Sequence, residues 1–112
     1  MKRFALVAFV LAGMAGSASA DTIGREEWIL GFRDLFPGRA CEMMRDSLAS
    51  GYQIGYGDCV KLMGLSADLC LEAHRAFLPA ILNQPDDGQA WGRSVGRCAG
   101  TVFDAAMKAR RR

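Results

Sequence analysis

Four cysteines, one histidine and several methionines are the residues of this 112-residue sequence that could do chemistry. The cysteines are Cys41, Cys59, Cys70 and Cys98. A tetrahedral zinc site draws its ligands from pairs two to four residues apart, whereas the shortest gap between these cysteines contains 10 residues. An even number of cysteines in a short exported chain is typical of disulfides. We therefore predict two disulfides and no metal site.

Two pairings of these cysteines are sensible. The sequential pattern joins Cys41 to Cys59 and Cys70 to Cys98, and the nested pattern joins Cys59 to Cys70 and Cys41 to Cys98. Loop entropy favours neither, because both patterns sum to about 7 kcal/mol. If residues 64–66 form a turn between a short helix and the helix that follows it, Cys59 and Cys70 lie almost equally far from that turn and face each other, whereas the sequential pairs are offset by roughly 5 Å. This argument favours the nested pattern.

Ordinary structural roles explain His74 and the methionines better than catalysis or metal binding does. A nucleophilic mechanism would pair His74 with a reactive thiol or with a serine at a tight turn, but the cysteines are predicted to be oxidised and no Gly-x-Ser-x-Gly motif is present. Met43, Met44, Met63 and Met107 could suggest copper ligands, but methionine also fills gaps in a hydrophobic core. We expect a core histidine, no catalytic residues, no metal and no cofactor.

The N-terminus has the pattern of a cleavable secretory signal peptide. Lys2 and Arg3 precede an uncharged, mostly apolar run over residues 4–16, which is shorter than the roughly 20 apolar residues of a membrane span. Ala18-Ser19-Ala20 supplies the small residues expected before a cleavage point. We predict that residues 1–20 are removed and that Asp21 begins a periplasmic or secreted protein without a stable membrane anchor.

The mature chain carries no net charge. Removing Lys2 and Arg3 from the 14 basic residues leaves 12, which equals the 12 acidic residues. Several of these bases crowd into residues 108–112, so the body of the chain is net negative. Nucleic-acid binding needs a basic face that displaces counterions. We therefore expect no nucleic-acid partner.

Helical periodicity recurs along residues 21–112, and strand-like alternation is nearly absent. The pattern predicts helices over residues 25–36, 39–50, 58–63, 67–83 and 88–109. Pro37-Gly38 is predicted to end the first helix, Ser66 to cap the fourth and Pro79 to kink it. The predicted fold class is all-α, a single domain built as a small bundle of four or five helices stapled by two disulfides.

The last predicted helix carries a stripe of small residues. Gly92, Gly96 and Gly100 recur every four residues, so they lie along one edge of the helix. Because glycine has no Cβ, such a stripe lets a second backbone approach closely. The neighbour is either another helix of the same bundle or a second copy of the chain in a homodimer.

Residues 51–57 are the most recognition-like stretch. Tyr52 and Tyr56 lie among three glycines, and tyrosine offers a large amphipathic contact at low entropic cost. Asp86 and Asp87 could add an acidic contact, although Asp87 could equally cap the last helix. We expect a non-enzymatic exported module that binds another exported protein, a toxin or secreted effector for example, as an immunity protein or a periplasmic chaperone would. The alternative function is carriage of a small apolar ligand inside the bundle.

Processing is directly testable. The intact mass of the exported protein should correspond to a chain that starts at Asp21 and has lost four thiol hydrogens to two disulfides. Mass spectrometry with and without reduction measures both quantities. Retention of residues 1–20, or alkylation of thiols in the native unreduced protein, would contradict the prediction.

Overall fold

The computed structural model describes residues 21–45 and 54–110. In chain order these residues form β1 (Thr22–Gly24), α1 (Arg25–Met43), α2 (Tyr56–His74), a 3₁₀ turn (Arg75–Phe77), β2 (Ile81–Asn83) and α3 (Asp86–Arg110). The predicted signal peptide and the second half of the predicted 39–50 helix lie outside the described residues. The mostly helical character and the two disulfides are confirmed, whereas the bundle of four or five helices is not, because the described residues form three α-helices and a small sheet.

Both disulfides join α2 to a neighbouring helix. Cys41 of α1 bonds to Cys59 with a Cα–Cα distance of 6.1 Å, and Cys70 bonds to Cys98 of α3 with a Cα–Cα distance of 5.9 Å. The nested pairing favoured by the sequence is therefore wrong and the sequential one is present. Cys59 and Cys70 belong to one continuous helix, where eleven residues separate them by about 16 Å. A disulfide tolerates about 7 Å between Cα atoms, so this pair cannot form.

Helix α1 continues through Pro37, where the sequence predicted an end. Proline in a helix interior removes one backbone hydrogen bond. Pro37 is buried, and its Cγ lies 3.9 Å from the place that a Cβ on Gly64 would occupy. Packing against α2 at this point compensates for the lost bond, so the predicted helices 25–36 and 39–50 share one axis as far as Met43.

Helix α2 likewise merges two predicted segments. Ser66 is buried in mid-helix, and its hydroxyl donates a hydrogen bond to the carbonyl of Leu62 at 2.9 Å. This is the backward bond of a serine inside a helix and not an N-cap. The helix ends at His74, so the predicted helix 67–83 is wrong in its second half. Leu78 is extended (φ −69°, ψ 134°) because the ring of Pro79 disfavours helical geometry at the preceding residue.

A short antiparallel sheet closes the end of the bundle where α1 begins. Ile23 of β1 pairs with Leu82 of β2, and Leu82 is fully buried. Arg25 ties α1 to the segment before β2, because its backbone N–H donates to Ala80 O at 2.9 Å and its guanidinium donates to Leu78 O at 3.0 Å. Each strand has three residues, too few for an alternating pattern to appear in the sequence.

Helix α2 is the central element of the bundle. It packs against both α1 and α3, whereas α1 and α3 touch each other at few points. The core lies on α2 and on the faces turned toward it, and consists of Trp28, Ile29, Ala40, Cys41, Cys59, Met63, Ala67, Cys70, Leu71, Leu78, Leu82, Val95, Ala99, Phe103 and Met107. The space between α1 and α3 is consequently left partly open.

The glycine stripe of α3 faces aromatic rings of α1. A Cβ on Gly92 would lie 3.9 Å from Phe32, and one on Gly96 would lie 3.3 Å from Phe36, closer than ordinary van der Waals contact. At Gly100 nothing lies within 4 Å of that position. The stripe therefore packs within the chain at its first two glycines, and the homodimer remains a prediction.

Ion pairs hold α1 against the last turns of α2 and the 3₁₀ turn that follows it. The guanidinium of Arg75 donates a hydrogen bond to the carboxylate of Glu26, and Arg33 Nε lies 2.8 Å from Asp68 Oδ1. The hydrogen bond from Arg75, with the added positive charge of Arg25 and Arg33, holds the pKa of Glu26 below its ordinary value of 4.5. The same bond raises the pKa of Arg75.

Replacing Gly96 tests the close approach of α1 and α3. Gly96→Leu should lower the free energy of unfolding by about 1–3 kcal/mol, because the added side chain collides with Phe36. Gly100→Leu, one turn further along, is the matched control and should be neutral or stabilising by about 0.5 kcal/mol, since leucine has the higher helix propensity. Denaturant melts at several protein concentrations measure both variants. A Gly96→Leu protein of undiminished stability would contradict this packing.

The Glu26–Arg75 pair predicts a pH dependence of stability. Because the pKa of Glu26 is lower in the folded state than in the unfolded chain, its stabilising contribution is present above pH ~4.5 and disappears as the pH falls through the folded value. Glu26→Gln should therefore be less stable than the parent at pH ~7 and equal to it at pH ~2.5. Thermal melts across this range measure the difference, with Glu27→Gln in the same helical turn as control. A difference that does not change with pH would contradict the prediction.

Candidate functional site: an apolar groove between α1 and α3

Three aromatic side chains form a ladder along α1. Trp28, Phe32 and Phe36 recur every four residues, so they stack one above the other on a single helix face. The ring centroids of Trp28 and Phe32 are 5.3 Å apart with an interplanar angle of 29°, and those of Phe32 and Phe36 are 4.6 Å apart at 12°. Trp28 is buried and the two phenylalanines are half-buried. The ladder forms a rigid apolar wall opposite the glycines of α3.

The first half of the opening beside this wall lies near the sheet. It is a cavity of about 410 Å³, lined by Ile23, Trp28, Gly31, Phe32, Leu35, Phe36, Arg39, Gln84 and Gly88. Its apolar surface comes from α1 and β1, and its polar surface from the side chains of Gln84 and Arg39. The cavity opens to solvent along Leu35, which is 63% exposed.

The second half continues toward the C-terminal end of α1. This cavity of about 500 Å³ is lined by Phe36, Ala40, Met43, Met44, Met63, Gly92, Arg93, Gly96, Arg97 and Gly100. Phe36 belongs to both linings, so the two cavities adjoin at its ring. Together we call them the α1/α3 groove. Three methionines line this half, and Met43 is 80% exposed at the rim.

The charged residues that line the α1/α3 groove are all basic. Arg39 stands on the α1 side, and Arg93 and Arg97 stand one helical turn apart on the α3 side. Among residues 21–45 and 54–110, no carboxylate belongs to either lining and no ion pair involves these arginines. The groove therefore combines an apolar interior with a positively charged rim.

Tyr56 lies on a different surface. It is 47% exposed at the start of α2, its hydroxyl donates to Gly38 O at 3.4 Å, and the guanidinium of Arg45 stands 5.9 Å from its ring. It lines a depression between α1 and α2 that also includes Pro37 and Leu65. Tyr52 lies outside the described residues.

Asp86 and Asp87 lie at the start of α3, at the other end of the molecule. The carboxylate of Asp87 accepts a hydrogen bond from the backbone N–H of Asn83 at 2.8 Å, so it fixes the turn between β2 and α3. Asp86 is exposed. Helix α2 separates this end of the bundle from Tyr56 by its 19 residues, or roughly 27 Å. The predicted tyrosine and aspartate contacts therefore do not form one compact site.

The contacts of His74 are those of a structural residue. Its Nδ1 lies 2.7 Å from the carbonyl oxygen of Cys70, and its ring meets Trp91 edge-on at 6.2 Å between centroids. It is half-buried. Within the described residues, no group of three or more histidine, cysteine or acidic side chains could hold a metal ion. The helices described here are also not long and apolar enough to cross a membrane.

Sequence reasoning missed the groove although it identified parts of its walls. Trp28, Phe32 and Phe36 have the four-residue spacing of any inward helix face. The glycine stripe was predicted to face either another helix of the bundle or a second copy of the chain, and its first two glycines face α1. The two cavities lie on either side of the contact between Phe36 and Gly96, and this arrangement is a tertiary property without a signal in the spacing of residues.

Comparison with known proteins gives one family. No curated protein and no solved structure matches this chain. Residues 22–111, which include all the described helices and the four cysteines, match the protein family described as T2SS substrate NttA. Secretion substrates are exported, in agreement with the two disulfides. The chain therefore belongs to the NttA family of T2SS substrates.

Proposed function

We propose that this protein is a secreted, non-enzymatic binding module that holds another protein in the α1/α3 groove. The observation that carries the proposal is the exposed apolar rim of a positively charged groove, with Leu35 63% and Met43 80% exposed. Soluble monomers seldom expose large contiguous apolar patches, and those that occur are often interaction sites.

The composition of the groove suits protein binding. Trp28, Phe32 and Phe36 are rigid aromatic surfaces of the kind that dominates binding energy at interfaces. Met43 and Met44 add flexible side chains that adapt to an incoming surface. An interface core is typically enriched in aromatic residues, methionine and arginine, and the groove contains all three.

Membership in a family of secretion substrates supports a site of action outside the cell. An immunity protein or a chaperone of the periplasm would act before or without release, so these two roles receive less support than binding to an external target. Tyr52, Tyr56, Asp86 and Asp87 remain a second proposed contact surface. Because Tyr56 and Asp86 lie at opposite ends of α2, a partner would have to touch them as two separate patches.

Carriage of a small apolar ligand is the second candidate function. The cavity of about 410 Å³ beside Trp28, Phe32 and Phe36 falls within the size range of small-molecule sites. A ligand seated there would leave the rim at Met43 uncovered, since Met43 lines the other half of the groove. The rim therefore favours a macromolecular occupant.

Two charge-neutral rim substitutions test the proposal. The double variant Leu35→Gln/Met43→Gln should weaken capture of a protein partner at least tenfold while leaving the helical circular dichroism spectrum unchanged, because both side chains are exposed. Leu30→Gln/Leu69→Gln is the control, since these leucines are 61% and 63% exposed and line neither the groove nor the depression beside Tyr56. Capture is measured by cross-linking to proteins of the culture supernatant and of the periplasm, followed by quantitative mass spectrometry.

The other outcomes separate the alternatives. If Tyr52→Ala/Tyr56→Ala abolishes capture and the rim variant does not, the partner binds the tyrosine surface and the groove assignment is wrong. If no protein is captured and a lipid or another apolar molecule co-purifies with the protein, the carrier function replaces the binding module.

A further inference from the structure

We propose that the occupant of the α1/α3 groove is an acidic amphipathic α-helix of the partner protein. This inference rests on the proposed function, and it specifies the chemistry of the surface that the groove recognises. The position of its rims, its length and its charge each favour such an occupant.

The rims of the groove lie on two different helices. Leu35 and Met43 form the rim on α1, while Arg93 and Arg97 form the rim on α3. Gly100 carries no side chain, and nothing lies within 4 Å of its Cβ position. Packed helices lie about 8–10 Å apart, and a helix with its side chains is about 10 Å wide, so a docked helix can contact both rims at once.

The length of the groove corresponds to a helix of about four turns. On α1 the lining runs from Trp28 to Met43, and on α3 from Gly88 to Gly100. At 1.5 Å per residue these segments measure about 22 Å and 18 Å. A helix docked along them would place apolar residues at positions i, i+3 or i+4, i+7 and i+11 against the aromatic ladder.

The charge of the rim selects an acidic occupant. Arg93 and Arg97 are four residues apart, which matches carboxylates at positions i and i+4 of a helix lying alongside α3. Arg39 offers a third cation on the opposite rim. Two carboxylates on adjoining helical turns are already engaged, because Glu42 lies 2.7 Å from Arg45 and Asp104 lies 3.0 Å from Lys108. No ion pair among residues 21–45 and 54–110 uses the three arginines, so an incoming chain can pair with them, and charge complementarity of this kind sets specificity.

The methionines allow the groove to accept more than one apolar pattern. Met43 and Met44 are unbranched and exposed or half-buried, while Met63 forms the buried floor behind them. Flexible thioether side chains repack around different partners at little cost. The arginines therefore discriminate by charge, while the methionines tolerate variation in the apolar face.

Synthetic peptides of about 18 residues test the inference on the intact mature protein. The first peptide carries leucine on one helix face and glutamate on both flanks. The second replaces every glutamate by lysine, and the third keeps the acidic composition but has two prolines in its interior, which prevent helix formation. Fluorescence anisotropy of labelled peptides gives the affinities. The acidic helical peptide should bind at least tenfold more tightly than either of the others.

Charge reversal on the protein provides the matching test. Arg93→Glu/Arg97→Glu should weaken binding of the acidic peptide at least tenfold and improve binding of the lysine peptide. Lys61→Glu/Arg110→Glu changes the net charge of the protein equally but lies outside the groove, and it should leave both affinities unchanged. Circular dichroism of all variants confirms that the fold is intact.

The inference is overturned if the acidic and lysine peptides bind equally, if the proline peptide binds as well as the helical one, or if the two charge-reversal variants behave alike. It is also overturned if dodecanoate binds the groove and no peptide does. If the peptides fail while Leu35→Gln/Met43→Gln still abolishes partner capture, the proposed function stands and only the helical occupant is wrong. If the acidic peptide binds as expected but partner capture does not depend on the rim, the proposed function is wrong instead.

Discussion

The architecture depends on two cysteines that share one helix. Cys59 and Cys70 are eleven residues apart on α2, so their side chains point in directions only about 20° apart, about 16 Å from each other along the axis. Each must bond to a different helix, and both partners are drawn onto the same side of α2. Helices α1 and α3 consequently lie side by side and parallel, held by bonds to α2 more than by contacts with each other.

The remaining ties determine where α1 and α3 separate. The β1–β2 sheet and the hydrogen bonds of Arg25 fix the start of α1, and Cys41 fixes its end. Helix α3 is fixed in its first half, by Asp87 at the turn and by Cys98. Close packing occurs where both helices are tied, as at Gly96 against Phe36. One turn further, at Gly100, the contact is lost and the groove widens over the methionines.

Much of the fold could be predicted from local features. Helical periodicity identified the helical class, and the even cysteine count identified two disulfides. Pro37 and Ser66 were wrongly interpreted as a helix end and a helix cap. At Pro37, burial against a second helix outweighs the hydrogen bond that the proline cannot make. At Ser66, the hydroxyl bonds backward within a continuous helix. These two breaks divided α1 and α2 into four predicted helices, and the false turn at residues 64–66 then made the Cys59–Cys70 pairing look favourable. Two local errors thus produced the wrong helix count, and the second of them also produced the wrong pairing.

The candidate site was harder to predict because its two properties have different origins. Its apolar wall appears in the sequence as an ordinary core face, since Trp28, Phe32 and Phe36 have the spacing of any buried helix stripe. Its charge is invisible in the composition, because the near balance of 14 basic and 12 acidic residues gives no sign that Arg39, Arg93 and Arg97 lie around one opening. Tertiary packing brings them together. A small net charge gives little non-specific electrostatic attraction, so a selective attraction has to come from a local cluster such as these arginines. In the proposed complex, apolar contact and charge act at the same place, so a partner lacking either property would be bound less well.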